Sequence, residues 1–170
     1  MVAAAYAALP DVVAASAGSD AGTTARAIVA RYRQVWREVQ AAAALPKMGL
    51  VRFIVVADTD AGAMKIARRA YLVWRASFTY LSELNGTLPN SPLNTDSFDT
   101  LIKQGQAIAG SPDTVHGFLA KQIEDTHANY LVGQFCFGDL TLNEMLRSVD
   151  LFAAKVMPSL RTVQDQPAYS

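Results

Sequence analysis

Hydrophobic residues change period several times along this chain. An alanine-rich helix tail at 3–9 stops at Pro10, and DVVAAS (11–16) reads as a short buried strand. From about Thr24 to Ala43, Ile28, Val29, Tyr32, Val35, Trp36 and Val39 recur at helical spacing. LVRFIVVA (50–57) is apolar and β-branched, a second strand. Asp58, Thr59 and Asp60 then offer a helix N-cap. The helix behind them predicts a stripe of Met64, Ala67, Tyr71, Trp74, Phe78 and Leu81, ending near Leu84. From 85 to 106 the pattern breaks. NGTLPNSPLNTDS (85–97) is rich in turn formers, and the whole segment reads as a lid or a disordered insertion.

GSPDTV (110–115) starts another helix, with Ser111 as cap, Pro112 in the first turn and Asp113 at the positive end of the dipole. It ends near His127. NYLVGQFCFGDLT (129–141) carries no charge before Asp139, so its strand should be covered on both faces. Thr141 and Glu144 form a capping box, and the last helix runs to about Pro158. The tail 162–170 is polar and expected to fray. Three buried strands alternating with long helices imply an α/β fold with parallel pairing and helical crossovers.

A length of 170 residues suggests one domain, and 51% hydrophobic with 18% charged residues is globular composition. Fifteen basic and 15 acidic residues balance, which argues against nucleic acid, because neutralising phosphates takes a basic surplus. Arg31, Arg33 and Arg37 share one helix, and Arg68, Arg69 and Arg75 another; each set is a solvated face or a binding patch. One cysteine, Cys136, excludes an internal disulfide, and its apolar strand predicts a buried inert thiol. No apolar run reaches the ~18 residues of a membrane span. The opening MVAAAYAALPD has no basic n-region, so the expected compartment is the cytoplasm. His116 and His127 stand about three helical turns apart, too far to share a metal, and no zinc-type cluster, P-loop, GxGxxG or GxSxG is present.

VRFIVVADTDAGA, AIAGSPDTV, NYLVGQFCFGDLT and RSVDLFAAKVMPSLR, in that order, resemble the C-terminal part of luciferase-like flavin-dependent monooxygenases. The resemblance covers roughly residues 24–161. It implies about three strand–helix units of a (β/α)8 TIM barrel, with 11–16, 50–57 and 130–137 as strands six, seven and eight, and 85–106 as the mobile insertion loop. Residues 1–170 would then be a single partial domain. The implied activity uses reduced flavin and oxygen on a small organic substrate, with FMN as cofactor or, in some members, a deazaflavin. No catalytic residue carries over.

The resemblance points to the strand ends at the barrel's C-terminal rim. There Ser16 either faces the flavin or forms a turn. Gln134 lies late in the third strand. Phe137 packs near the flavin ring or in the core, and Gly138 permits close approach or makes a plain turn. Arg52 interrupts an apolar strand and calls for a carboxylate or several carbonyls. Asp58 and Asp139 read as caps by default. Two departures stand out: Gly62 where the family has an acid completing a box with Thr59, and His127 where it has glycine at a left-handed helix end. With only three strands of a barrel, the chain is expected not to bind flavin tightly by itself. The alternative is a non-catalytic α/β module assembling with itself or a partner chain, because open apolar faces mark interfaces.

Overall fold

The computed structural model describes residues 21–39, 47–89 and 91–164; side chains are described for all of these except 21–24 and 161–164. The strand expected at 11–16, with Ser16, and the tail beyond residue 164 lie outside the described residues. The elements are α1 (Ala21–Val39), β1 (Gly49–Val56), α2 (Asp60–Leu84), α3 (Phe98–Lys103), β2 (Ala107–Gly110), α4 (Pro112–Thr126), β3 (Tyr130–Gln134), α5 (Leu142–Leu151) and α6 (Met157–Gln164), with a π-helical turn at Phe152–Val156 joining the last two. Two compact units are distinguished: Met1–Leu50 with Lys121–Val132, and Val51–Ala120 with Gly133–Ser170.

Among the described residues, the sheet has three strands in the order β2-β1-β3. β1 and β2 run parallel, with Phe53 opposite Ala107 and Val56 opposite Gly110. Two expectations change here. Residues 107–110 form a strand, fully buried, where the sequence pattern predicts only the helix behind it. The strands at 50–57 and 130–137 are therefore not consecutive, and their numbering as seven and eight does not hold. The central place of β1 also differs from a barrel segment, in which consecutive strands are neighbours.

The segment 85–106 is not structureless either. Ser97 caps α3 by accepting the Thr100 N–H, and Phe98 and Leu101 of that helix are buried.

In the unit built on Val51–Ala120, Phe53 and Val55 share one face of β1. Ala63, Ala67 and Ala70 let α2 lie close against that face. Phe53 meets Trp74 edge-on at 4.9 Å between centroids and Phe137 at 5.0 Å. The predicted α2 stripe holds as far as Tyr71 and Trp74. Phe78 and Leu81 leave the core, Leu81 to 69% exposure. The strand β3 also departs from expectation: Tyr130 is 46% and Val132 40% exposed, so both faces are not covered. Cys136 is exposed rather than buried.

Capping follows the sequence closely. Thr59 accepts the Gly62 N–H at 3.2 Å, and Gly62 has no side chain to return the bond. At α5 the box is complete: Thr141 Oγ1 accepts the Glu144 N–H, and Glu144 accepts the Thr141 N–H at 2.9 Å. His127, after the last residue of α4, has φ +56, the left-handed conformation that costs a side-chain residue. His127→Gly is expected to stabilise the protein by about 1 kcal/mol, since the side chain is exposed and only the backbone cost is removed. A rise of a few degrees in the thermal midpoint is the measurement; a fall would count against it.

Candidate functional site

At the carboxyl ends of β1 and β2 the polar groups are engaged in holding helices. Asp58 pairs with Arg147 of α5. Thr59, not Asp58, is the cap of α2. Asp60 accepts the Ser111 N–H at 2.6 Å, and hydrogen bonds from Ser111 and Thr114 hold its carboxyl below the usual carboxylate range. A Cβ on Gly110 would lie 2.9 Å from Asp60 Oδ1, so glycine makes room for this tie. Ser148 Oγ accepts the buried Val56 N–H at 2.8 Å.

After β3 the same economy of charges recurs. Asp139 pairs with Arg69, and Thr141 supplies the cap. Arg69 also reaches Glu144 at 2.8 Å. That hydrogen bond, with those from Thr141, lowers the Glu144 carboxyl to about 2. Arg68 forms a two-pronged pair with Asp99 at 2.6 and 2.8 Å. Two of the three arginines of that helix therefore serve as structural clamps.

The Glu144 arrangement has a pH consequence. Its folded pKa lies below the unfolded value of 4.5, so its contribution is complete above that value and is lost as pH falls toward about 2. Glu144→Gln is expected to cost about 0.5–1 kcal/mol at neutral pH, discounted for solvent screening, and to flatten the acid limb of a stability–pH curve. Urea unfolding at a series of pH values measures both.

Arg52 is 4% exposed and donates from Nη1 to the Val51 carbonyl at 2.7 Å. Burial lowers its pKa to about 10, so it remains charged at neutral pH.

Of the described site residues expected from sequence, Gln134 lines a cleft that Phe137 and Gly138 do not. A cleft of about 220 Å3 has Val51 and Phe53 as its floor. Ser91, Pro92 and Leu93 form a strap on one side, and Gln106 and Gln134 complete it. Phe137 is not in this lining: it is 4% exposed, at 5.0 Å from Phe53 and stacked with Phe98 at 6.2 Å. It packs in the core against those two rings. Gly138 has φ +58, and a Cβ there would stand 1.8 Å from the Ala70 carbonyl oxygen. Its close approach is to the backbone of α2.

Ser91 and Gln106 escape a reading of the sequence. Nothing local marks them; they meet only because the strap returns over the β1 face. Among the described residues, no charged side chain lines the cleft. Ligand sites for drug-sized molecules run to about 300–1,000 Å3, and a phosphate calls for a cation or a helix N-terminus. The cleft therefore does not fit intact FMN, being too small and offering its phosphate no partner. Among the described residues, no cluster of three metal-ligating side chains occurs, and no helix is long and apolar enough to cross a membrane.

The fold has known counterparts. The chain is similar to monooxygenase RslO1 from Streptomyces bottropensis (18% identity, TM-score 0.64, 81% of this chain and 38% of that one). A second counterpart is a type II Baeyer–Villiger monooxygenase, the oxygenating constituent of 3,6-diketocamphane monooxygenase from the CAM plasmid of Pseudomonas putida, solved in complex with FMN. There the identity is 18% and the TM-score 0.53, over 79% of this chain and 39% of that one. A third, apo-MsnO8, gives 24%, 0.52, 78% and 41%. At these identities the likeness is one of fold.

By sequence the chain is 33% identical over 112 residues to the uncharacterized protein y4wF of Sinorhizobium fredii (strain NBRC 101917 / NGR234). The match covers 65% of this chain and 32% of y4wF, so it spans about a third of that relative's length. No family model matches the chain.

Proposed function

We propose that the chain supplies the C-terminal part of a luciferase-like flavin-dependent monooxygenase, in which reduced flavin and oxygen act on a small organic substrate. The observation carrying this reading is the fold likeness to two monooxygenases over 79–81% of the chain. The four sequence segments that resemble the family support it independently. FMN is the favoured cofactor, because one counterpart was solved with it; a deazaflavin is the variant.

Two findings make this reading conditional on further strands. The cleft is too small and too neutral for FMN. And in a barrel β3 lies beside β2, whereas here it lies beside β1. Completing the barrel moves β3 from one edge to the other. The flavin site would then include residues from outside this chain, and Ser16 and Gln134 would be its contribution to the site.

The test is ultrafiltration with FMN. The isolated chain is expected to retain no stoichiometric flavin. Mixed with a segment supplying the strand–helix units that complete the barrel, it is expected to retain one flavin per complex. Stoichiometric flavin on the isolated chain overturns the need for completion; none on the complex overturns the flavin reading.

The second reading, a non-catalytic module assembling with itself or a partner, draws on exposed apolar side chains. Leu72, Tyr80 and Leu84 of α2 are 58%, 58% and 66% exposed, and Leu142 and Leu146 of α5 are 65% and 52%. Light scattering separates the two: a monomer at all concentrations counts against the module.

A further inference from the structure

The cleft that rejects FMN still has the shape and chemistry of a site. Its floor is rigid. Phe53 is 2% exposed and held edge-on by both Trp74 and Phe137. Its strap is anchored rather than loose. The Tyr71 hydroxyl lies 2.8 Å from the Leu93 carbonyl and accepts the Thr95 N–H at 3.1 Å. Pro92 and Leu93 thereby face the floor across a gap of defined size.

Gln106 and Gln134 flank the gap, with Ser91 on the strap, its hydroxyl accepting the Leu93 N–H at 3.2 Å. Each amide offers both a donor and an acceptor. Among the described residues, no ionised side chain lines the space. Arg52, between Val51 and Phe53 in sequence, projects from the opposite face of β1 by strand alternation. A charged guest would lose its hydration without finding a counter-charge. A neutral guest with hydrogen-bonding atoms at its edge loses little.

Size narrows the class. A dry cavity of about 150 Å3 holds benzene. This one, at about 220 Å3, has room for two fused rings and not for a flavin with its ribityl phosphate.

We propose that the cleft between the 91–93 strap and the Val51–Phe53 floor binds a neutral, flat compound of one or two rings, held edge-on by Gln106 and Gln134. The inference stands apart from the flavin reading, and it fails or succeeds on the isolated chain.

Coumarin is the probe: two fused rings, uncharged, with oxygen acceptors on one edge. 1-Naphthoate is its size-matched anion, and FMN the oversized one. Saturation-transfer NMR on the intact chain reads all three. Coumarin is expected to bind saturably with Kd below about 1 mM, and 1-naphthoate at least tenfold more weakly. Leu93→Trp, which fills the gap from the strap, is expected to weaken coumarin at least tenfold. Gln134→Leu keeps the volume, removes the amide from a partly exposed position, and is expected to weaken it about fivefold. Should one variant fail to fold, the other decides. No saturable coumarin binding, equal binding of the anion, or unchanged affinity in the folded variants overturns the proposal.

Discussion

Gly138→Ala is expected to lower the thermal midpoint by about 8–16 °C. Two costs combine. The backbone at Gly138 has φ +58, a conformation that costs an L-residue about 1–2 kcal/mol. The added Cβ would lie 1.8 Å from the Ala70 carbonyl oxygen and 2.7 Å from its carbonyl carbon. Those are backbone atoms in the middle of α2, so no side chain can swing aside. The turn after β3 must instead retreat by more than an ångström. Phe137, the adjacent residue, would be drawn out of its contacts with Phe53 and Phe98. Loss of that packing brings the total to about 4 kcal/mol or more, at roughly 2–4 °C per kcal/mol for a chain of this size. Circular dichroism melting is the measurement, and a midpoint within 3 °C of the parent would refute the argument. Gly62→Ala makes a useful contrast. Its Cβ meets only Thr59 Oγ1, at 3.1 Å, and the penalty is expected to be far smaller.

What could be read from the sequence was what neighbours in the chain decide. The strand at 50–57 appears as Gly49–Val56, because Val51, Ile54, Val55 and Val56 make half of it β-branched. Thr59 and the Thr141–Glu144 box cap where expected, since a cap needs only a hydroxyl and the next turn. His127 takes the left-handed conformation expected where glycine is usual.

What the sequence missed or left open depended on partners distant in sequence. Ala107–Gly110 is four residues, too short to show a period; its identity as a strand comes from pairing with β1, more than fifty residues earlier. Gly138 reads from sequence as close to a ligand or a plain turn, and its neighbour proves to be Ala70. Phe137, expected near a flavin or in the core, lies in the core by contacts with Phe53 and Phe98. Cys136, beside it, lies past the end of β3 and is exposed rather than buried. Of the three described site residues, Gln134 alone meets the cleft, and its companions Ser91 and Gln106 carry no local mark of their role.

Tyr71→Phe isolates the one hydroxyl on which the strap depends. Tyr71 is fully buried, and its oxygen lies within 3.1 Å of Leu93 O, Thr95 O, Thr95 Oγ1 and Thr95 N. Phenylalanine keeps the ring, which stacks near Trp74 and meets Phe98 at 6.1 Å, so the core is left filled. What disappears is the acceptor of the Thr95 N–H and the donor nearest the Leu93 carbonyl. Thr95 is 8% exposed, so its N–H gains no easy contact with water. Leaving such groups unsatisfied costs about 1–3 kcal/mol, the upper end applying where several share one partner. Part of that cost is avoidable, because the strap can detach and hydrate while β1, β2 and α2 stay packed. The expected result is thus divided. Global stability in urea falls by about 2 kcal/mol, and amide exchange at Leu93 and Thr95 accelerates at least tenfold while exchange at Val55 and Ala109 changes in proportion to global stability alone. Uniform acceleration across strap and strands would mean the hydroxyl supports the whole core rather than the strap. No acceleration at either would mean the strap is held by its apolar contacts, with the hydroxyl incidental.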